Sequence, residues 1–172
     1  MASRWRTACA LILLALWSDA SGAVHATPPR ADAEALLQAA VDADELDLAA
    51  LRARIGDEPV LAALAPETEV ALQLVAVRAA PYLANPELAL PALAVIAQGR
   101  DPDLAPAAAR RAFQIAQMLE LEDVAAREIA LGPLRDTEQN LSRLSTSNVA
   151  RVDVKMYAAE AAHLLRRLRE PN

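Results

Sequence analysis

Apolar residues recur at three- and four-residue spacing along most of the chain beyond residue 30, and prolines, glycines and short polar clusters cut that rhythm into segments. Such spacing gives each helix one apolar stripe to bury. The clearest stretch, residues 85 to 119, reads as two helices laid antiparallel across a tight turn. Asn85 and Pro86 open the first, since an Asn side chain accepts from orphan amides and Pro sits where no donor is needed. This helix runs to about Gln98, and Gly99 is expected to take a left-handed conformation that ends it. Asp101 and Pro102 start the next helix two or three residues later, so the two must be antiparallel neighbours.

The same punctuation recurs on either side. Pro28 and Pro29 are an extended lead to a helix capped by Asp32 and reaching about Val41, with Leu36, Leu37 and Ala40 inward. A second helix, about Asp44 to Ile55, carries Leu48, Leu51 and Ile55, with Asp44 as its cap and Gly56 as its end. Pro59 opens a short helix and Pro66 interrupts it. Val70, Leu74 and Val77 then form an inward stripe that Pro81 ends or kinks. Beyond Leu119 the pattern predicts a helix over about 122–131 stopped by Gly132-Pro133, a weaker segment from Leu134 to Leu144, and a polar loop, Ser145 to Asn148. That loop caps a last helix over about 149–169.

Pro91, Leu93 and Ile96, then Asp101-Pro102-Asp103, then Ala105, Ala108, Ala109, Ala112 and Phe113 resemble the HEAT-repeat pattern. In that family a proline in the first helix precedes an Asp-rich turn and a second helix of small and aliphatic residues. The resemblance covers about a fifth of the chain, and Pro106 stands where the family usually carries Arg. It implies an all-α fold of antiparallel helix pairs stacked as a small HEAT-like right-handed solenoid. The repeat is uneven: Pro59 and Pro86 are 27 residues apart, whereas Pro66 and Pro102 are 36 apart.

Composition narrows the classes. A length of 172 residues fits one domain, and aromatic residues make up only 3%. Beyond residue 26 the aromatics are Tyr82, Phe113 and Tyr157, too few for a base- or sugar-stacking platform. Residues 1–26 read as a secretory signal: Arg4 and Arg6 precede an apolar run over 8–17, then small-residue sites end at Ala23 and Ala26. That run is too short for a bilayer core of ~30 Å. Removing it leaves 27–172 as a single helical-repeat domain without cysteine, periplasmic or extracellular, and held by its core rather than by disulfides. The remaining 15 basic and 22 acidic groups, net −7, leave no general nucleic-acid footprint.

Charge is unevenly spread. Residues 27–100 carry 5 basic and 11 acidic groups, whereas 143–172 carry 6 and 3. On the last helix Val154, Tyr157, Ala158, Ala161, Leu164, Leu165 and Leu168 share the docking face, and Arg151, Lys155, Arg166 and Arg169 form a neighbouring basic stripe. Cations also gather at helix C-termini because the dipole favours them there. The alternative role of the stripe is to bind an anionic partner: an acidic protein, lipid head groups or the acidic end of another copy.

No catalytic constellation is readable. Beyond the signal His163 is the single histidine, with Glu160 and Arg167 beside it on the helix, and it reads as a partly exposed His paired with Glu160. No Gly-rich phosphate loop and no nucleophile elbow occur. The acidic cluster Asp42, Asp44, Glu45 and Asp47 lacks EF-hand spacing and reads as helix caps. Glu67 with Glu69, Asp101 with Asp103, and Glu120 with Glu122 and Asp123 each fall at an expected helix start and read the same way. The expectation is a non-enzymatic protein-binding or scaffold module without metal or cofactor, its partner another protein. The alternative is a peripheral envelope protein holding anionic lipid through the basic stripe.

Overall fold

The computed structural model describes residues 30–41, 47–121 and 131–170. The expected signal segment, the caps Asp42, Asp44 and Glu45, and the helix expected over 122–131, apart from its last residue, lie outside them. Helices account for the fold, and no strand occurs among the described residues. They are α1 (Arg30–Val41), α2 (Leu48–Ile55), α3 (Asp57–Ala62), α4 (Val70–Ala79), α5 (Leu90–Ala97), α6 (Leu104–Leu121), α7 (Leu131–Ser145) and α8 (Val152–Arg169), with 3-10 turns at Ala80–Tyr82 and Pro86–Ala89.

Each boundary has a local cause. Asp47 caps α2, which begins at Leu48: its Oδ1 accepts from the Ala50 amide at 2.9 Å. Gly56 then closes α2 and opens α3 at φ 81°, the one left-handed backbone among the described residues, which only glycine adopts without strain. Asp57 fastens the corner, accepting from Arg52 Nε at 2.6 Å and from the Ala84 amide at 3.0 Å. Pro81 ends α4 in a 3-10 turn, as its position requires.

The stretch at 85–119 differs from expectation in three details. Asn85 makes no side-chain cap bond, and the first turn is 3-10 over Pro86–Ala89. An α-helix running through Pro91 would set its ring against the carbonyl of Glu87, so the regular helix begins only at Leu90 with Pro91 in its first turn. Gly99 is not left-handed. Its amide donates to the Ile96 carbonyl at 2.9 Å, and a Cβ added there would lie 2.9 Å from that same oxygen. Glycine is needed for close approach. Six residues, 98–103, join α5 to α6, and Asp101 caps α6 as expected, its Oδ1 accepting from Asp103 N at 3.0 Å and Leu104 N at 2.8 Å.

Further on, Gly132 and Pro133 do not stop a helix but lie in the first turn of α7, where a missing amide donor costs nothing. Within α4 the stripe is also displaced: Val77 is buried, Leu74 is half-buried and Val70 is exposed. In place of Val70 the helix buries Gln73, whose Nε2 donates to the Ala65 carbonyl at 2.9 Å and holds the loop after α3.

The core is one cluster that draws residues from all eight helices, from Leu37 of α1 to Leu165 of α8. Elements close in the chain are close in space: α6 packs against α4, α5 and α8, α7 against α5 and α8, and α1 against α4. Alanine makes the centre tight, since Ala108, Ala109, Ala112 and Ala116 of α6 are fully buried. Across the α6–α8 contact Phe113 and Tyr157 meet with ring centroids 5.9 Å apart. The docking face read for α8 is the one that packs: Val154, Ala158, Ala161, Leu164 and Leu165 are buried, and Tyr157 and Leu168 are half-buried.

Two substitutions test the close-approach sites. Ala112→Leu overfills the α6 contact and should cost about 1–3 kcal/mol in urea unfolding. Gly99→Ala should destabilise through its clash, whereas Val95→Ala, on the exposed face of α5, should change little. Wild-type unfolding midpoints for both of the first two would contradict this packing.

Candidate functional site

The four basic residues read from the sequence do not lie together as one free stripe. Arg166 and Arg169 turn onto α7, where Glu138 is buried at 7% exposure. Arg166 Nη2 donates to Glu138 Oε1 at 2.8 Å, and Arg169 Nη1 donates to Oε2 at 3.0 Å. Each carboxylate oxygen therefore has its own guanidinium, which is what a buried charge needs. The hydrogen bond it donates to Glu138 holds the Arg166 guanidinium above its ordinary range. Arg151 is about 22 Å away along α8, at 1.5 Å per residue. It forks onto Asp153 at 3.0 and 3.2 Å, and it also donates to the Pro102 carbonyl at 3.1 Å. The first of these bonds holds Asp153 below the usual carboxylate range. Lys155 is half-buried, with no ion pair among the described residues.

Arg151 does, however, border a cleft of about 500 Å³ formed where the α5–α6 turn meets the α7–α8 loop. Its floor is apolar, from Ala97, Ala105, Leu144 and Val154, all buried. Its walls are polar. Arg100 comes from the turn that Gly99 makes possible, Asn140 and Arg143 come from the last turns of α7, and Arg151 leads into α8. The Arg151 bond to Pro102 ties the start of α8 to the α5–α6 turn and braces one side. Asp101 also lines the cleft, but its Oδ1 is committed to two α6 amides. Arg100 and Arg143 are exposed, and among the described residues neither has a carboxylate partner. Exposed Val149, at 90%, also lines the cleft, whereas Val152 and Met156, exposed on the first two turns of α8, lie outside its lining.

The remaining candidates lie apart. His163 and Glu160 are both exposed, and no hydrogen bond joins them among the described residues. Arg167 instead reaches Glu120 Oε1 at 2.7 Å, so Glu120 serves the α6–α8 contact rather than a helix start, because α6 continues to Leu121. Arg111 is half-buried on α6. Its guanidinium is held below its ordinary range first by burial and then by the neighbouring Arg110. Among the described residues no group of three His, Cys, Asp or Glu side chains is placed to hold a metal ion.

Sequence reasoning missed Arg100, Arg143 and Glu138. Glu138 carried a signal: with Thr137 it falls on the stripe of Leu134, Leu141 and Leu144, and a carboxylate on an apolar stripe demands a cation from a packing neighbour. Arg100 and Arg143 carried none, because their nearness depends on how the turn meets the loop. Comparison with known proteins returns no matching family model, no matching curated protein and no matching solved structure.

Removing the carboxylate that joins α7 to α8 should be costly. Glu138→Ala leaves Arg169 partly buried and unpaired and should lower unfolding free energy by about 2–3 kcal/mol, with Arg166→Gln costing less because that side chain is half-exposed. Chemical denaturation of the two variants checks the order, and the reverse order would contradict the buried-hub assignment.

Proposed function

We propose that this chain is a non-enzymatic interaction module, a short HEAT-like right-handed solenoid of antiparallel helix pairs that holds a segment of another polypeptide. The observation that carries the reading is the cleft at the α5–α6 turn and the α7–α8 loop, lined by exposed Val149 and by Arg100 and Arg143, which have no carboxylate partner among the described residues. Polypeptides offer charged and apolar side chains on one strand, and such a surface meets both. The solenoid reading draws support from contacts that run between elements one to three apart in the chain, and from the HEAT-like residues of α5 and α6. Stacked helix pairs of this kind commonly present a surface to a partner chain, which is an argument from architecture.

The second reading is a peripheral envelope protein that holds anionic lipid through Arg151, Lys155, Arg166 and Arg169. It has less to work with, since three of those four cations already hold carboxylates. No described helix is long and apolar enough to cross a membrane, which bears on spanning and not on surface attachment.

Capture from native envelope extract separates the readings. A protein recovered by the wild type and lost with Arg100→Glu/Arg143→Glu is the expected result. Binding only to anionic liposomes, weakened by salt and abolished in Arg151→Glu/Lys155→Glu, would overturn it. Arg166 and Arg169 are left intact because a glutamate at either place would face buried Glu138. Export is part of the same proposal. N-terminal sequencing of the native protein should find it beginning at Val24 or Thr27, and an intact Met1 start would contradict the signal assignment.

A further inference from the structure

We propose that the cleft selects an acidic segment of the partner, one carboxylate settling between Arg100 and Arg143 while an adjacent aliphatic side chain covers Val149. This rests on the interaction-module reading and adds the chemistry of the ligand. The charge argument comes from what is and is not already satisfied. Arg166, Arg169, Arg151 and Arg167 each hold a carboxylate of this chain, so they have no need of another. Arg100, from the α5–α6 turn, and Arg143, from α7, line one cleft with no carboxylate partner among the described residues. Of the local acids, Asp101 Oδ1 accepts from two α6 amides and Asp153 pairs with Arg151. The cleft therefore presents two guanidinium groups without an ion-pair partner among the described residues, and their planar forks suit carboxylates.

Two further features bear on the same ligand. Asn140 supplies an amide that donates or accepts, suited to a backbone group of an extended segment. Val149 decides between a polypeptide and a small free anion. It lines the cleft at 90% exposure. An inorganic anion leaves it in water, whereas an Asp- or Glu-bearing segment with a neighbouring Leu or Val covers it.

The test uses the purified chain from Thr27 onward and a fluorescein-labelled twelve-residue peptide of alternating acidic and leucine residues. Its isostere carries Asn and Gln in place of Asp and Glu, and inorganic phosphate and succinate serve as competitors. Fluorescence polarisation should show the acidic peptide binding at least tenfold more tightly than the isostere, with affinity falling as salt rises. Arg100→Gln/Arg143→Gln should reduce its affinity about tenfold or more, and Val149→Ser should reduce it severalfold. Amide shifts on titration should centre on the α5–α6 turn and the α7–α8 loop. Equal binding of the two peptides, indifference to the double arginine variant, or full displacement by millimolar phosphate would each overturn the proposal. Circular dichroism of the variants excludes loss of fold as the cause. If the envelope capture is retained by Arg100→Gln/Arg143→Gln while peptide selectivity fails, the interaction module stands and its acidic ligand does not.

Discussion

Helix α6 lies against α4, α5 and α8 because the residues it turns toward them are mostly alanines. A helix satisfies its own backbone amides, so what limits burial on several sides is side-chain volume. With Ala108, Ala109, Ala112 and Ala116 at the contacts, the neighbouring helices approach closely and fill the space with their own leucines and valines. The arrangement constrains everything around it. Pro91 delays the start of α5 by one 3-10 turn, Gly99 lets the chain pass within contact of the Ile96 carbonyl, and Asp101 restarts the helix. Those three residues set the path of the turn that carries Arg100 to the cleft.

Charge then divides into two uses. Some arginines build the fold: Arg52 holds Asp57 at the α2–α3 corner, Arg167 links α8 to Glu120 of α6, and Arg166 with Arg169 neutralises Glu138 between α7 and α8. Such pairs add little where they are exposed and much where one partner is buried, as Glu138 is. Arg100 and Arg143 have no such duty among the described residues. Both line one cleft together with exposed Val149. The interaction reading rests on that division, and it does not depend on helices being counted or repeats being even.

Much of the helical content was legible in the sequence, because spacing reports an apolar stripe directly. The α8 face from Val154 to Leu168 and the Asp101 cap are examples. Breakers were less legible, since Gly and Pro announce a special position without stating which. Gly56 and Gly99 both end helices, yet one is left-handed and the other simply lacks room for a Cβ. Gly132-Pro133 looked like a stop and lies within the opening turn of α7, because Pro is equally at home in a first turn. The candidate site was the least legible part. A basic stripe on one helix is visible in one dimension, whereas the carboxylate that Arg166 and Arg169 share, Glu138, lies 28 and 31 residues from them on another. Arg100 and Arg143 are 43 residues apart in the chain. Only the packing of α5, α6 and α7 brings them to one cleft.

The most direct measurement is photo-crosslinking in the native cell from residue 149, whose side chain is almost fully exposed beside the cleft and tolerates a benzophenone amino acid. Mass spectrometry of the adduct identifies the polypeptide segment seated there. An adduct on a segment rich in Asp and Glu, lost when Arg100 and Arg143 are replaced by Gln, is the expected result. Absence of any protein adduct, or attachment to a neutral or basic segment that persists in the arginine variant, would contradict it.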